Sequence, residues 1–359
     1  TPSFWLGLVG FRGLLRVVPF PLRGGMPPAR FPRRKLIIAT QAGLLAQAAI
    51  FASLALTGRL QLWHIIVLYF LFGSLLAIDH PARRAFLVDL VSRDDLANAV
   101  ALNATIFNIS SLIGYAAAGL LIATIGAGGT MLINAATYVF PIFALVAIRV
   151  ADVGWDTQRA PLGAALSEGI TTLWQRPTIL GVISLMAVVG GLAWPVYGLM
   201  PAFVEEVVRT GSVGLGLLLA VGALGSIIGT VAVARLGGRR RGRSLVIASL
   251  LLPGLVVGFA VSSNIWLAGL FLVPLGITLL IVQSLAVTLV QIHILDRVRG
   301  RVMSLYSMLH AGSDTVGNVL VGSLAVYAGL PLALALGGLT ALLFALALSL
   351  VIPSIYRLD

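Results

Sequence analysis

Residues Ile265 to Val290 read IWLAGLFLVPLGITLLIVQSLAVTLV, a stretch without a single charged side chain. A helix of about 20 apolar residues spans the hydrocarbon core of a bilayer, so this segment is long enough to cross it. A barrel strand would be shorter and would alternate apolar with polar positions. Continuous apolar character fits a helix instead, because in lipid the backbone must satisfy its own hydrogen bonds. Working outward from this segment, similar runs divide the chain into eleven candidate spans: Phe4 to Leu22, Leu36 to Leu56, Leu62 to Ile78, Leu96 to Ile125, Thr130 to Ile148, Thr178 to Val204, Val213 to Ala234, Leu245 to Val261, Ile265 to Val290, Val302 to Ala328 and Leu332 to Ile352. The composition agrees: 59% of the 359 residues are hydrophobic and only 10% are charged, against roughly 25% charged in a soluble domain. An all-α membrane protein is therefore expected.

Charge gives the direction of the helices. Of 24 Lys and Arg residues, 20 fall in one alternate set of connections and the tail: Arg23, Arg30, Arg33, Arg34 and Lys35; Arg83, Arg84 and Arg93; Arg149, Arg159 and Arg176; Arg235, Arg239, Arg240, Arg241 and Arg243; Arg297, Arg299 and Arg301; and Arg357. The opposite connections hold Arg59 and Arg209, and Arg12 with Arg16 lies inside the first span. Positive-inside bias puts the first set, and the C-terminus, on the cytoplasmic side of the membrane. The net charge of +12 then belongs to loops that face anionic lipid, and no nucleic-acid partner is expected. Thr1 would fall outside by the same count, so one further N-terminal helix is expected ahead of it.

The chain repeats itself. DDLANAVAL from Asp94 has a counterpart in DRVRGRVMS from Asp296, Gly114 and Gly119 recur as Gly317 and Gly322, and KLIIAT from Lys35 resembles SLVIAS from Ser244, each after an Arg-rich loop. Repetition at about 200 residues implies two related helical halves, the arrangement of transporters that rock around a central site. The expected division is 1–148 for the first bundle, 149–177 for a cytoplasmic linker, and 178–359 for the second bundle. Within the linker, PLGAALSEGITTLWQ from Pro161 reads as an amphipathic helix on the membrane surface.

Two halves of helices with an Arg-rich loop resemble the major facilitator superfamily, and the drug-efflux and siderophore-export branch in particular. The resemblance is carried by KLIIATQ (Lys35 to Gln41), LWHIIVLYFLFG (Leu62 to Gly73), DHPARRAFLVDLVSRDDLANAVALN (Asp79 to Asn103) and RGRVMSLYSML (Arg299 to Leu309). It implies twelve helices in two bundles, of which about eleven are present, and alternating-access export driven by inward protons. It also implies a gating role for Gly25, Arg30, Arg34, Asp79, Arg83, Asp95 and Arg301, whose alternative role is topogenic charge. Two positions depart from the family: Ala29 stands where an aspartate belongs in GGMPPARFPRRK (Gly24 to Lys35), and Tyr115 follows Gly114 where the antiporter signature has proline.

Ionisable groups inside a span are costly and mark function first. Asp314 lies halfway along its span, with His310 one turn earlier and Ser307 and Asn318 extending the same stripe. Asp314 is expected to bind a proton or a cationic substrate, with His310 tuning or relaying it; an interhelical hydrogen bond is the plainer alternative. Arg12 shares a face with Arg16 and would attract an anionic substrate. Asn108, Tyr115, Trp194, Tyr197, Gln283 and Asn318 are the expected substrate-facing groups of a wide, mostly apolar cavity suited to small amphipathic compounds.

Other chemistry finds no foothold. The absence of cysteine excludes disulfides and thiolate sites. Lys35 is the sole lysine and follows no Gly-rich phosphate loop, which argues against a built-in ATPase. The four histidines, His64, His80, His293 and His310, lack ligand spacing, so neither metal nor other cofactor is expected, nor an enzyme. A monomer is expected. The competing functions are a lysophospholipid or other lipid transporter and a membrane protein that does not transport.

Overall fold

The computed structural model describes residues 33–91, 95–148, 170–236 and 240–358. The first expected span, the Arg-rich loop up to Pro32 and most of the linker lie outside these residues. Among the described residues there is helix and no strand. The elements in chain order are α1 (Arg33–Leu56), α2 (Leu62–Leu90), α3 (Leu96–Thr137), α4 (Val139–Ala147), α5 (Pro177–Leu185), α6 (Gly191–Ala193), α7 (Pro195–Gly198), α8 (Met200–Phe203), α9 (Gly211–Leu236), α10 (Arg241–Ala260), α11 (Ile265–His293), α12 (Asp296–Ala328) and α13 (Leu330–Val351). Two π-helical turns, Met186–Gly190 and Val204–Val208, flank the short pieces α6 to α8, and a 3-10 turn, Pro353–Arg357, follows α13. Among the described residues, eight helical segments are long and apolar enough to cross a membrane; α12 is not one of them, because its middle carries His310, Ser313, Asp314 and Asn318.

Three elements differ from the sequence expectation, each for a local reason. Asp79 and Arg83 were expected in a connection, but α2 continues through them to Leu90, since a helix needs no lipid to persist. Of the two spans expected from Leu96 to Ile148, the first ends as expected, at Gly126, whose φ of 72° is open to glycine at no steric cost, but the second is itself interrupted. A second break comes at Tyr138, three residues before Pro141, which cannot donate a backbone hydrogen bond to the preceding turn. The span expected as continuous from Thr178 to Val204 is broken, with Pro195 and Pro201 each opening a new short helix.

The described residues divide into two compact units: those up to Ser110 together with 117–148, and Ser111–Ala116 together with those from 170 onward. In the first unit, α1 and α2 form a hairpin. The backbone N–H of Gln61 donates to His64 Nδ1 at 3.0 Å, so His64 caps α2. Ile37, Ala82, Phe86 and Leu145 make a small core where the start of α1 meets the ends of α2 and α4.

The second unit has the larger core, centred on residues such as Phe203, Phe259, Leu252, Leu272 and Val282. Its helices approach closely through glycines. A Cβ at Gly225 would strike the carbonyl oxygen of Val273, and one at Gly229 would come within 2.9 Å of that of Ile277, so α9 lies with its backbone on α11. Close packing of this kind replaces the hydrophobic drive that lipid removes. Large apolar side chains such as Phe140, Phe143 and Trp266 remain exposed, as befits surfaces meeting acyl chains.

Residues 170–174 are helical and show two faces: Leu173 belongs to the second core, whereas Trp174 is 73% exposed. The part of the expected surface helix from Pro161 to residue 169 lies outside the described residues.

Candidate functional site

In the second unit the site is built on α12. Tyr306, His310, Asp314 and Asn318 recur every four residues and so share one face. His310 Nδ1 lies 3.3 Å from Asp314 Oδ2, with the two side chains 29% and 20% exposed. Both groups are thus half-buried. Asn318 Nδ2 donates to the Asp314 backbone carbonyl at 2.8 Å, and Ser313 Oγ donates to that of His310 at 2.9 Å. Tyr306 is buried; its ring centroid is 6.3 Å from that of His310, and its hydroxyl donates to the Gln283 carbonyl on α11 at 3.4 Å.

The broken helix presses directly on this face. A Cβ at Gly317 would strike the carbonyl oxygen of Gly191, and one at Gly191 would come within 2.9 Å of the Ser313 carbonyl oxygen. A Cβ at Gly198 would strike Asn318 Oδ1. The backbones of α6 and α12 therefore touch one residue from Asp314, with no side chain between them. From the same broken helix come Trp194 and Tyr197, with ring centroids 5.7 Å apart. Tyr197 lies against Gly222 of α9, and its hydroxyl oxygen is buried with no hydrogen-bond partner. A buried hydroxyl without a partner is uncommon enough to need a reason, and a ligand that supplies one is such a reason.

The structure thus brings His310, Asp314 and Asn318 together and seats Trp194 and Tyr197 on an adjoining element. Gln283 meets this group through its backbone carbonyl. Tyr115 lies on α3 with 43% of its surface exposed. Asn108 is helical, while its side chain, like Arg12, Gly25 and Arg30, lies outside what is described.

A second polar cluster lies in the first unit. Asp79 is 3% exposed, and its carboxylate accepts from Thr40 Oγ1 at 2.7 Å, from Gln41 Nε2 at 2.9 Å and from Arg83 Nε at 2.5 Å. Three donors meet the demand of a buried carboxylate. Nearby in sequence, Arg34 donates from Nε to the Leu145 carbonyl at 2.6 Å and from Nη2 to the Val146 carbonyl at 2.7 Å. These belong to the last turn of α4, whose carbonyls lack helical partners and carry the negative end of the dipole. In the second unit Arg176 does the same for α11, donating to the His293 carbonyl at 2.7 Å. Asp95 stands at the N-cap of α3, and Arg301 is half-buried on α12.

Thr40, Gln41, Tyr306 and Arg176 were not singled out from sequence as site residues. A signal existed for the first two, since adjacent polar side chains inside an apolar span need a partner. For Tyr306 it was the four-residue spacing to His310.

Comparison with known proteins bears on the same reading. The family model described as transmembrane secretion effector, MFS_3, matches residues 6–356. The chain is 27% identical over 311 residues to the enterobactin exporter EntS of Shigella boydii, covering 84% of this chain and 72% of that protein. It is 23% identical over 323 residues to the staphyloferrin A transporter of Staphylococcus aureus, covering 89% and 80% respectively. To the multidrug efflux pump Tap of Mycolicibacterium fortuitum it is 26% identical over 234 residues, or 63% of this chain and 56% of that one. Among solved structures, the nucleoside transporter NupG aligns with a TM-score of 0.76 at 8% identity, over 99% of this chain and 91% of that one. An inward-facing bacterial homologue of the human lysosomal transporter Spinster aligns at 0.65 and 14%, over 99% and 88%. At such identities the structural likeness concerns fold alone. The family match over almost the whole length, joined to the helical architecture, makes this chain a member of the transmembrane secretion effector family, in the siderophore- and drug-exporter branch of the major facilitator superfamily.

Proposed function

We propose that this transporter exports small amphipathic compounds, drugs or siderophore-like molecules, from the bacterial cytoplasm in exchange for inward protons, by alternating access. The observation that carries the proposal is the half-buried His310–Asp314 pair in the middle of α12, touching the broken helix that bears Trp194 and Tyr197. A carboxylate at this depth is costly in its charged form, and a proton removes that charge. Proton arrival and departure can therefore change how tightly the α12 face holds the neighbouring helix or a substrate, which is the requirement for coupling two fluxes. The aromatic pair supplies apolar surface with one free hydroxyl, a combination suited to amphipathic substrates rather than to sugars or ions. Support for export comes from the relatives named as exporters and an efflux pump.

The same proposal places the basic connections and the C-terminus on the cytoplasmic side. It takes 1–148 and 178–359 as the two halves of a monomeric transporter, joined by the 149–177 linker. In the first half, Asp79, Arg83, Arg34 and Asp95 are assigned to conformational gating along with Gly25, Arg30 and, from the second half, Arg301.

The test is ethidium efflux from a pump-deficient bacterium that expresses the protein, with and without a protonophore. Energised extrusion that the protonophore stops is the expected result. Membrane insertion without extrusion of ethidium or any of a panel of amphipathic drugs and siderophores would defeat the proposal.

A further inference from the structure

After α13 the backbone enters the 3-10 turn Pro353–Arg357, and Ile355 from this turn is fully buried. One wall of its seat is Gly181 on α5, where a Cβ would come within 2.8 Å of Ile355 Cδ1. The other is Gly242 at the start of α10, where a Cβ would strike the Ile355 carbonyl oxygen. Two hydrogen bonds complete the contact: the Thr178 and Ser354 hydroxyls are 2.8 Å apart, and the Gly242 N–H donates to the Leu358 carbonyl at 2.8 Å. Ile355, flanked by Ile352 and Leu358, and two hydrogen bonds thus join α5 and the start of α10 to the end of α13.

The first unit holds a counterpart made with different chemistry. Arg34, at the start of α1, grips the carbonyls of Leu145 and Val146 at the end of α4. The internal repeat relates Lys35 to Ser244, so the two contacts occupy corresponding places: the helix after an Arg-rich loop is tied to the end of α4 in one unit and of α13 in the other. The charged version holds two carbonyls of an open helix end with one guanidinium, through one part-buried and one exposed bond. The version in the second unit is held differently: its hydroxyl pair is exposed to water, which can replace that bond on opening, and the segment crosses α5 and α10 at glycines, Gly181 under the Ile355 side chain and Gly242 under its carbonyl.

This contact bears on the site because α5 runs through the Met186–Gly190 turn into the broken helix, which touches α12 beside Asp314. Movement of α5 must carry the 353–358 segment with it or leave it behind. We propose that 353–358 is a releasable clasp, seated with Ile355 between Gly181 and Gly242, that unseats during each transport cycle and so sets how freely α5 moves. Its role in transport rests on the export reading above; its seating and opening do not.

The chain contains no cysteine, so Thr178→Cys with Ser354→Cys introduces the sole pair of thiols. Oxidation in native membranes is expected to close a disulfide between them, to cut ethidium efflux at least tenfold, and to do so reversibly with dithiothreitol, while each single variant exports like the parent. Failure of the disulfide to form would show that the segment is not seated, and undiminished efflux by the bridged protein would show that it need not open. If the unbridged protein exports no ethidium, the export reading fails, and maleimide labelling decides the clasp by itself. Ile355→Cys in membranes is then expected to react with N-ethylmaleimide without denaturant, but more slowly than the exposed Ser354→Cys. No reaction before denaturation would mean a permanent seat, and equal rates would mean no seat; either result overturns the proposal.

Discussion

Asp314 is the residue on which the transport proposal turns. Asp314→Asn keeps the shape and an oxygen facing His310 but removes the carboxyl to which the proposal assigns the proton. Protonophore-sensitive ethidium efflux is expected to fall tenfold or more, equivalent to about 1.4 kcal/mol of lost coupling for each factor of ten. An unchanged rate would take Asp314 out of the mechanism. Tyr197 gives a second test at this scale. Its hydroxyl is buried without a partner, and removing an unsatisfied polar atom relieves a desolvation cost of about 1–3 kcal/mol. Tyr197→Phe should therefore melt at the parental temperature or above it in detergent, while its affinity for transported dye weakens. A lower melting temperature would mean that the hydroxyl already has a partner. In the first unit, Gln41→Leu leaves buried Asp79 with one donor fewer, for an expected loss of about 1–3 kcal/mol measured by thermal unfolding. The identity of Asp79 as a notable residue was legible from its place in DHPARR. Its partners Thr40 and Gln41 were not, because they lie 39 and 38 positions away and only the rotation of α1 against α2 turns them toward it.

At the scale of elements, helices of the second unit meet where glycines let their backbones touch. Gly317→Val puts a branched side chain against the Gly191 carbonyl, and overpacking of this kind costs about 1–3 kcal/mol or displaces a helix. Gly312 on the same α12 has nothing within 4 Å of an added Cβ, so Gly312→Ala serves as a control. It should be neutral or stabilising by up to about 1 kcal/mol, the helix-propensity difference between the two residues. Equal melting temperatures for both variants would contradict the close crossing of α6 and α12. The apolar lengths of the helices were legible because period and lipid solvent act on each segment alone. The breaks were partly so: Pro195 and Pro201 announced a disturbed helix, but the two π turns around α6 to α8 depend on how that helix fits against its neighbours.

For the whole molecule, the distribution of arginine makes the sharpest prediction. Single cysteines placed at Arg33 and Arg240 should react with an impermeant maleimide only after the cytoplasmic side is opened, and one at Arg209 should react in intact cells. Labelling of Arg33→Cys and Arg240→Cys from opposite sides would undo the orientation and the transport scheme built on it.

Helical spans, their alternation of charge and the polar stripe through His310 and Asp314 could all be read along the chain. Each depends on neighbours within a few turns and on the cost of placing charge in hydrocarbon, and both are local properties. Folding supplied the rest by joining distant residues: Arg34 to Leu145 across 111 positions, Arg176 to His293 across 117, and Thr178 to Ser354 across 176. Helical periodicity says which residues share a face but not which helix that face will meet. That choice follows from shape and from the pairing of stranded polar groups, and neither exists until the helices pack together.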